Sequence, residues 1–321
     1  MNDRQRGSAR EIRSSEGLDR QHQEGPRAPA AEEIGCGIRT DLPAAECFPL
    51  ETVFPEVAAR PRSGVFEILS SEHWRVGIGS VPCEGDPESA VRHLYRDLFL
   101  AAEGMNVCRI WNFVPHINLR TPSGLECYQA FSRARSLAFE KQWGPDFRAR
   151  LPAASAVGNL SERLVVRFAA SSRRPTHWEN PRQIPAYHYP ETYGPRPPSF
   201  SRATLVPSNG GTDVFVSGTS AVVGHETVAP KDTKRQLECT LENLRALSQE
   251  CGLGEDLGAG RARLRQFSVY LRNPQEQSWI GPLLEERLFK KGDLVSVAQA
   301  DICRCELNIE IEATLRGVRP R

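Results

Sequence analysis

The strongest constraint in this chain is an order of elements that the sequence spells out twice. In the first half, residues 65–69 and 74–81 have the alternation of short strands, and 87–103 follows as a helix with Val91, Leu94 and Leu98 on one side. Residues 107–114 read as a strand, 125–143 as a second helix carrying Tyr128, Phe131, Leu137 and Phe139, and 164–169 as a further strand. In the second half, 203–207 and 214–217 are strands and 230–251 is a helix with Leu237, Leu241, Leu244 and Leu247 at helical spacing, its Pro230 suited to the first turn. Residues 267–272 are a strand, 274–289 a second helix, and 294–300 and 305–315 close the set. Two such units predict a duplicated α+β fold, each half laying two helices on one face of a mixed sheet. The repeat lies in element order, with little residue identity. The expected boundaries are 46–170 and 201–321 for the two domains and 171–200 for the segment between them. Residues 1–45 mix Arg, Glu, Gln, Gly, Ser, Pro and Ala without aliphatic periodicity, which predicts a disordered arm.

The last strand carries the first candidate chemistry. Leu307, Ile309, Ile311, Ala313 and Leu315 alternate with Glu306, Asn308, Glu310, Glu312 and Thr314, the two-residue period of a strand with one apolar face. Glu310 and Glu312 therefore share a face, roughly 6.6–7 Å apart along it. An antiparallel strand ordinarily wets such a face, and carboxylates are the ordinary way to wet it. A cleft-lining face would instead desolvate a carboxylate, raise its pKa and let it donate a proton near neutral pH.

Charge narrows the function classes. Lys plus Arg number 41 against 40 for Asp plus Glu, a balance that does not support a nucleic-acid-binding surface. No apolar run is long enough to span a membrane and no apolar secretory region opens the chain, so a cytoplasmic protein is expected. The nine cysteines are widely spaced without a CxxC pair, which indicates neither a disulfide framework nor a zinc site. No HExxH or nucleophile-elbow motif occurs. The glycines from Gly252 to Gly260 follow a helix and precede a strand, the reverse of a dinucleotide-binding loop.

The segment 171–200 holds seven prolines together with Trp178, Tyr187, Tyr189 and Tyr193. So much proline opposes regular structure, and so many aromatics oppose a mere linker. Loops stiffened in this way can hold Arg and Tyr heads in place for carboxylates, or simply form a packed seam. Arg272 ends a strand just before a helix, a place where an arginine is ordinarily solvated.

The run Phe215-Val216-Ser217-Gly218-Thr219, the strand Ser268-Val269-Tyr270-Leu271-Arg272-Asn273-Pro274 and the closing Ile309-Glu310-Ile311-Glu312-Ala313 resemble the YjgF/RidA type of domain, whose pocket uses a glutamate from a terminal EIEA strand. More specifically, Met105 to Asn118, Glu179-Asn180-Pro181-Arg182-Gln183, Tyr193 to Phe200 and Gly224-His225-Glu226 are similar to the chorismatases. The likeness spans about residues 50 to 317.

That resemblance implies a cofactor-free and metal-free enzyme acting on chorismate, a small molecule with two carboxylates, a ring hydroxyl and an enolpyruvyl ether. It implies that Glu310 protonates the enol methylene and that pyruvate is released. It implies Arg182, Tyr187 and Arg272 as the groups that orient the carboxylates, with Arg196 and Tyr193 as second choices and Gly218 at the substrate. A cysteine seven residues before the acid resembles the feature of the family members that form 3-hydroxybenzoate, and Cys303 occupies that place. Single YjgF domains trimerise, whereas a chain with two of them resembles a monomeric arrangement. The rival expectations are a RidA-like imine hydrolase and a non-catalytic YjgF-like binding module.

Overall fold

The structure is a computed structural model that describes Ala44 and residues 48–320. The expected arm, residues 1–45, lies outside the described residues apart from Ala44. A short helix α1 (Leu50–Val53) leads into β1 (Ala58–Ser63), β2 (Phe66–Ser70), β3 (Trp74–Pro82), α2 (Glu88–Ala101), β4 (Asn106–Pro115), α3 (Cys127–Trp143), β5 (Ala153–Asn159) and β6 (Arg163–Ser171). The second half runs β7 (Thr176–Trp178), β8 (Ala203–Ser208), β9 (Gly211–Thr219), the two-residue strands β10 (Val222–Val223) and β11 (Glu226–Thr227), α4 (Thr233–Glu250), β12 (Leu264–Leu271), α5 (Gln277–Arg287), β13 (Leu294–Gln299) and β14 (Ile309–Val318).

The first sheet has the order β1-β2-β3-β6-β4-β5 and the second β7-β8-β9-β14-β12-β13. With each strand replaced by its counterpart these are one order, and in each the pair at one edge, β4/β5 or β12/β13, is parallel. The expected α+β duplication is therefore present down to strand order. Four corrections have local causes. An extra edge strand opens each half: β1 with an exposed, Arg-rich sequence, and β7 inside the proline-rich segment, where it pairs with β8. Strand β5, Ala-Ala-Ser-Ala-Val-Gly-Asn, lacks the large β-formers that advertise a strand, yet it is buried along its whole length beside β4. Helix α4 starts after Pro230, because Asp232 caps it by accepting a hydrogen bond from the Arg235 N–H. The closing strand begins at Ile309, leaving residues 301–308 as a loop.

The layering decides the fate of the glutamates. One core packs the first sheet against α2 and α3, and another packs the second sheet against α4 and α5. A third fills the space between the two sheets, where Trp74, Trp111 and Phe113 meet Phe215, Tyr270 and Ala298. Ile309, Ile311, Ala313 and Leu315 face the helices of their own half. The polar positions of β14 face the other sheet instead of solvent, and Glu310, Glu312 and Arg316 are 4%, 1% and 2% exposed. No helix of the described residues is long and apolar enough to cross a membrane.

At the far end of this face Arg316 donates to the Val53 carbonyl at 2.7 Å and to Glu56 at 2.6 Å, pairs with buried Asp213 at 3.2 Å, and lies over the rings of Phe54 and Trp74. Losing one member of a buried pair leaves the other charged and dry, at a cost of about 3–5 kcal/mol. Arg316→Ala should therefore lower the unfolding free energy by about that much in a denaturant titration, and a change under about 1 kcal/mol would show that this buried pair does not support the fold.

Candidate active site

A cavity of about 230 Å³ opens where the β5 edge of the first sheet meets β9 and β14 of the second. Helix α3 closes one side. The proline-rich segment lies over it with Tyr189, Tyr193 and Phe200, and the loop 303–307 closes the remaining side.

Glu310 lines this cavity. Its Oε2 accepts from the Ser220 hydroxyl at 3.3 Å, and its buried Oε1 has no hydrogen-bond partner. Desolvation, followed by the negative charge of Glu312, pushes its pKa from 4.5 up to about 8, against the opposing pull of Ser220, Arg109 and Arg202. A carboxyl so placed is protonated at neutral pH. Ser155, from β5, sits beside it and receives the Gly218 N–H at 2.9 Å. Gly218 is required for space: a Cβ there would lie 2.0 Å from Glu310 Oε1.

Three arginines line the same cavity. Arg135 comes from α3, is 1% exposed, lies 4.9 Å over the Phe131 ring, and has Nε and Nη2 without partners. Arg202 donates to the Tyr189 hydroxyl at 2.7 Å and stands 4.0 Å from Glu179, whose burial pushes its pKa up to about 7. Arg304 lies 4.2 Å over the Tyr193 ring and 5.4 Å over that of Tyr189. A pocket with a protonated acid at its base and guanidinium groups around it is suited to an anion that must receive a proton.

Of the residues singled out in the sequence, Glu310, Gly218, Tyr193 and Cys303 line the cavity. Burial pushes the Cys303 thiol up to about 12, so it stands there as a neutral group. The other four are elsewhere. Arg182 bonds Asn243 at 2.9 Å and Glu242 at 2.7 Å, tying its loop to α4. Arg196 pairs with Glu140 of α3 at 2.8 Å. Tyr187 packs on the first core and bonds Glu179. Arg272 holds the 301–307 loop through the carbonyls of Leu307 and Arg304, the Asp301 carboxylate and Asn118 Oδ1. These side chains spend their donors on the protein, and the arginines that line the cavity are Arg135, Arg202 and Arg304. One of those was readable: Arg135 falls four residues after Phe131 and four before Phe139, a charge on a buried helical stripe. Arg202 and Arg304 lie outside any periodic pattern, and only the fold brings them together.

Comparison with known proteins agrees with this geometry. The family model for the N-terminal part of FkbO/Hyg5-like chorismatases matches residues 54–170. A 3-hydroxybenzoate synthase of Streptomyces hygroscopicus is 37% identical over 248 residues, 74% of this chain and 72% of its own. The chain belongs to the chorismatase family. A chorismatase of Streptomyces rapamycinicus is 34% identical over 248 residues, covering 74% of this chain and 73% of its own. The crystal structure of a chorismatase superposes on this chorismatase-family fold with a TM-score of 0.72 at 28% identity, covering 81% of this chain and 80% of that one.

Because the Gly218 position touches Glu310 directly, Gly218→Ala should fold and still displace the carboxyl. Misplacing a catalytic group by about 1 Å costs on the order of 10²-fold, so turnover should fall on that scale with the melting temperature little changed. Full activity in that variant would show that Glu310 need not sit where it does.

Proposed function

We propose that this chain is a chorismatase that cleaves the enolpyruvyl ether of chorismate, with Glu310 as general acid. The observation that carries the reading is a buried carboxyl, its pKa pushed up to about 8 by desolvation, that faces a cavity lined by arginines. Arg135, Arg202 and Arg304 receive the two carboxylates and orient the enol methylene towards Glu310. Proton transfer from Glu310 to that carbon makes a methyl group and leaves the ether carbon as an oxocarbenium ion beside the new carboxylate. Water, or the ring hydroxyl, adds to this carbon and its proton returns to Glu310. The hemiketal formed with water collapses directly: its ring oxygen leaves as a hydroxyl and pyruvate is released. The cyclic ketal formed with the ring hydroxyl first breaks the ring carbon–oxygen bond of that hydroxyl, with loss of the neighbouring ring hydrogen as a proton, and the aromatic hemiketal so formed collapses to 3-hydroxybenzoate and pyruvate. Hydrolysis to a dihydroxycyclohexadienoate takes up one water. Formation of 3-hydroxybenzoate takes up none overall, since the ring loses the elements of water as it becomes aromatic.

The 3-hydroxybenzoate outcome is the favoured product. It rests on Cys303 in the cavity wall, seven residues before the acid, and on the name of the relative at 37% identity. Both halves of one chain supply the cavity, which supports action as a monomer, and the cysteines of the described residues are free thiols, in keeping with a reducing cytoplasm.

The test is to incubate the purified protein with chorismate, to follow pyruvate and the aromatic product, and to run an imine substrate alongside. Glu310→Gln keeps the shape and removes the transferable proton, so pyruvate release should fall by at least about 10²–10⁴-fold. The same variant should melt no lower than wild type. A buried carboxyl with a raised pKa binds its proton more tightly in the folded than in the unfolded state, so it weakens stability as pH rises from 4.5 towards about 8. The melting advantage of Glu310→Gln should therefore grow across that window. Near-wild-type pyruvate release by Glu310→Gln, or turnover of the imine alone, would overturn the reading.

A further inference from the structure

The closing strand carries a second buried glutamate that the mechanism above does not use. Glu312 is 1% exposed and accepts three hydrogen bonds: from Arg109 Nη2 at 2.6 Å, from the Ser155 hydroxyl at 2.5 Å and from the Tyr270 hydroxyl at 3.1 Å. Arg109 belongs to β4 of the first sheet, is fully buried, and also donates to Ser155 at 2.5 Å. This contact crosses between the sheets. Ser155 joins it to the site, since the same hydroxyl receives the Gly218 N–H beside Glu310.

We propose that Glu312 is a positioning residue: held ionised by Arg109, Ser155 and Tyr270, it keeps the proton on Glu310, so that the acid of this site is made by a contact between the two sheets. The inference rests on Glu310 being the general acid. Three donors, one of them a guanidinium, meet the Glu312 carboxyl. Glu310 lies two residues along the same strand face, and a second negative charge at that spacing in a dry interior is disfavoured. Arg109 is committed to Glu312, which limits what its charge can do to ionise Glu310. The other groups around Glu310 are Arg202 before β8, Glu126 ahead of α3, Tyr128 and Arg135 of α3, Ser220 after β9, Tyr270 opposite it on β12, and Cys303, Arg304 and Glu306 of the loop before β14. Of the charged groups, Arg202 is the cation that acts on Glu310 beside Arg109. It favours ionisation, so Glu312 supplies the negative charge that opposes it.

The experiment is the pH dependence of kcat/KM for chorismate, whose alkaline limb reports the free enzyme's acid. Glu312→Gln removes the opposing charge and leaves Arg109 facing Glu310, so the limb should fall by at least about one pH unit. The double variant R109Q/E312Q removes both charges. Because Glu312 acts on Glu310 more strongly than Arg109 does, its limb should fall between those of wild type and Glu312→Gln. A purely structural Glu312 would lower the rate without moving the limb. Coincident limbs in folded variants, or a Glu312→Gln limb at or above that of wild type, would overturn the inference. If Glu312→Gln alone fails to fold, the double variant, which leaves no unpaired buried charge, decides by whether its limb falls below that of wild type. An active Glu310→Gln would sink the general-acid reading itself; an inactive Glu310→Gln with unmoved limbs would sink only this inference.

Discussion

The interaction on which the rest of this structure depends is the ion pair between Arg109 and Glu312, 2.6 Å apart and almost wholly dry. It joins β4 of the first sheet to the inward, polar face of β14 in the second. Two charges are taken out of water there only because each finds the other, with Ser155 and Tyr270 completing the set. Glu310 is buried by the same packing and has no such partner. Its pKa is consequently raised while its neighbour, two residues on, is held by a guanidinium. One strand thus presents two carboxyls of the same chemistry in two environments, one paired with a guanidinium and one with a buried, unpartnered Oε1.

Duplication supplies the cavity. Each half repeats a six-stranded sheet with two helices, yet the halves contribute differently: the second brings Glu310, Gly218 and Ser220, and the first brings Ser155 and Arg135. The segment between them adds Tyr189, Tyr193 and Phe200, and Arg202 follows it just before β8. A site built at such a junction draws on side chains distant in sequence, as the 203-residue separation of Arg109 and Glu312 illustrates. Arg304, held over two tyrosine rings, and Arg272, which pins the loop that carries it, show how a mobile type of side chain is fixed at the rim.

Much of this was legible in the sequence, and the residues show why the rest was not. The period of β14 put Glu310 and Glu312 on one face, and the repeat of element order predicted the two sheets. Periodicity could not say that a second sheet, rather than water, covers that face. The arginines divide in the same way. Arg182 and Arg272 stand in conspicuous motifs, but their donors are taken up by Asn243, Glu242, Asp301 and backbone carbonyls. Arg135 and Arg202 line the cavity because of where the fold leaves them. Ser155 was hidden because β5 is built of small residues that carry no strand signal and form a strand only through their neighbours.

The central claim is that Glu310 carries a proton at neutral pH. Infrared spectroscopy reads this directly, through the carbonyl stretch of a protonated carboxyl in the difference between wild type and Glu310→Gln across a pH titration. The account predicts such a band at pH 7, absent from the variant and lost with a midpoint near pH 8. A difference spectrum showing only ionised carboxylate at pH 7, with the proton lost in the ordinary acid range, would contradict it.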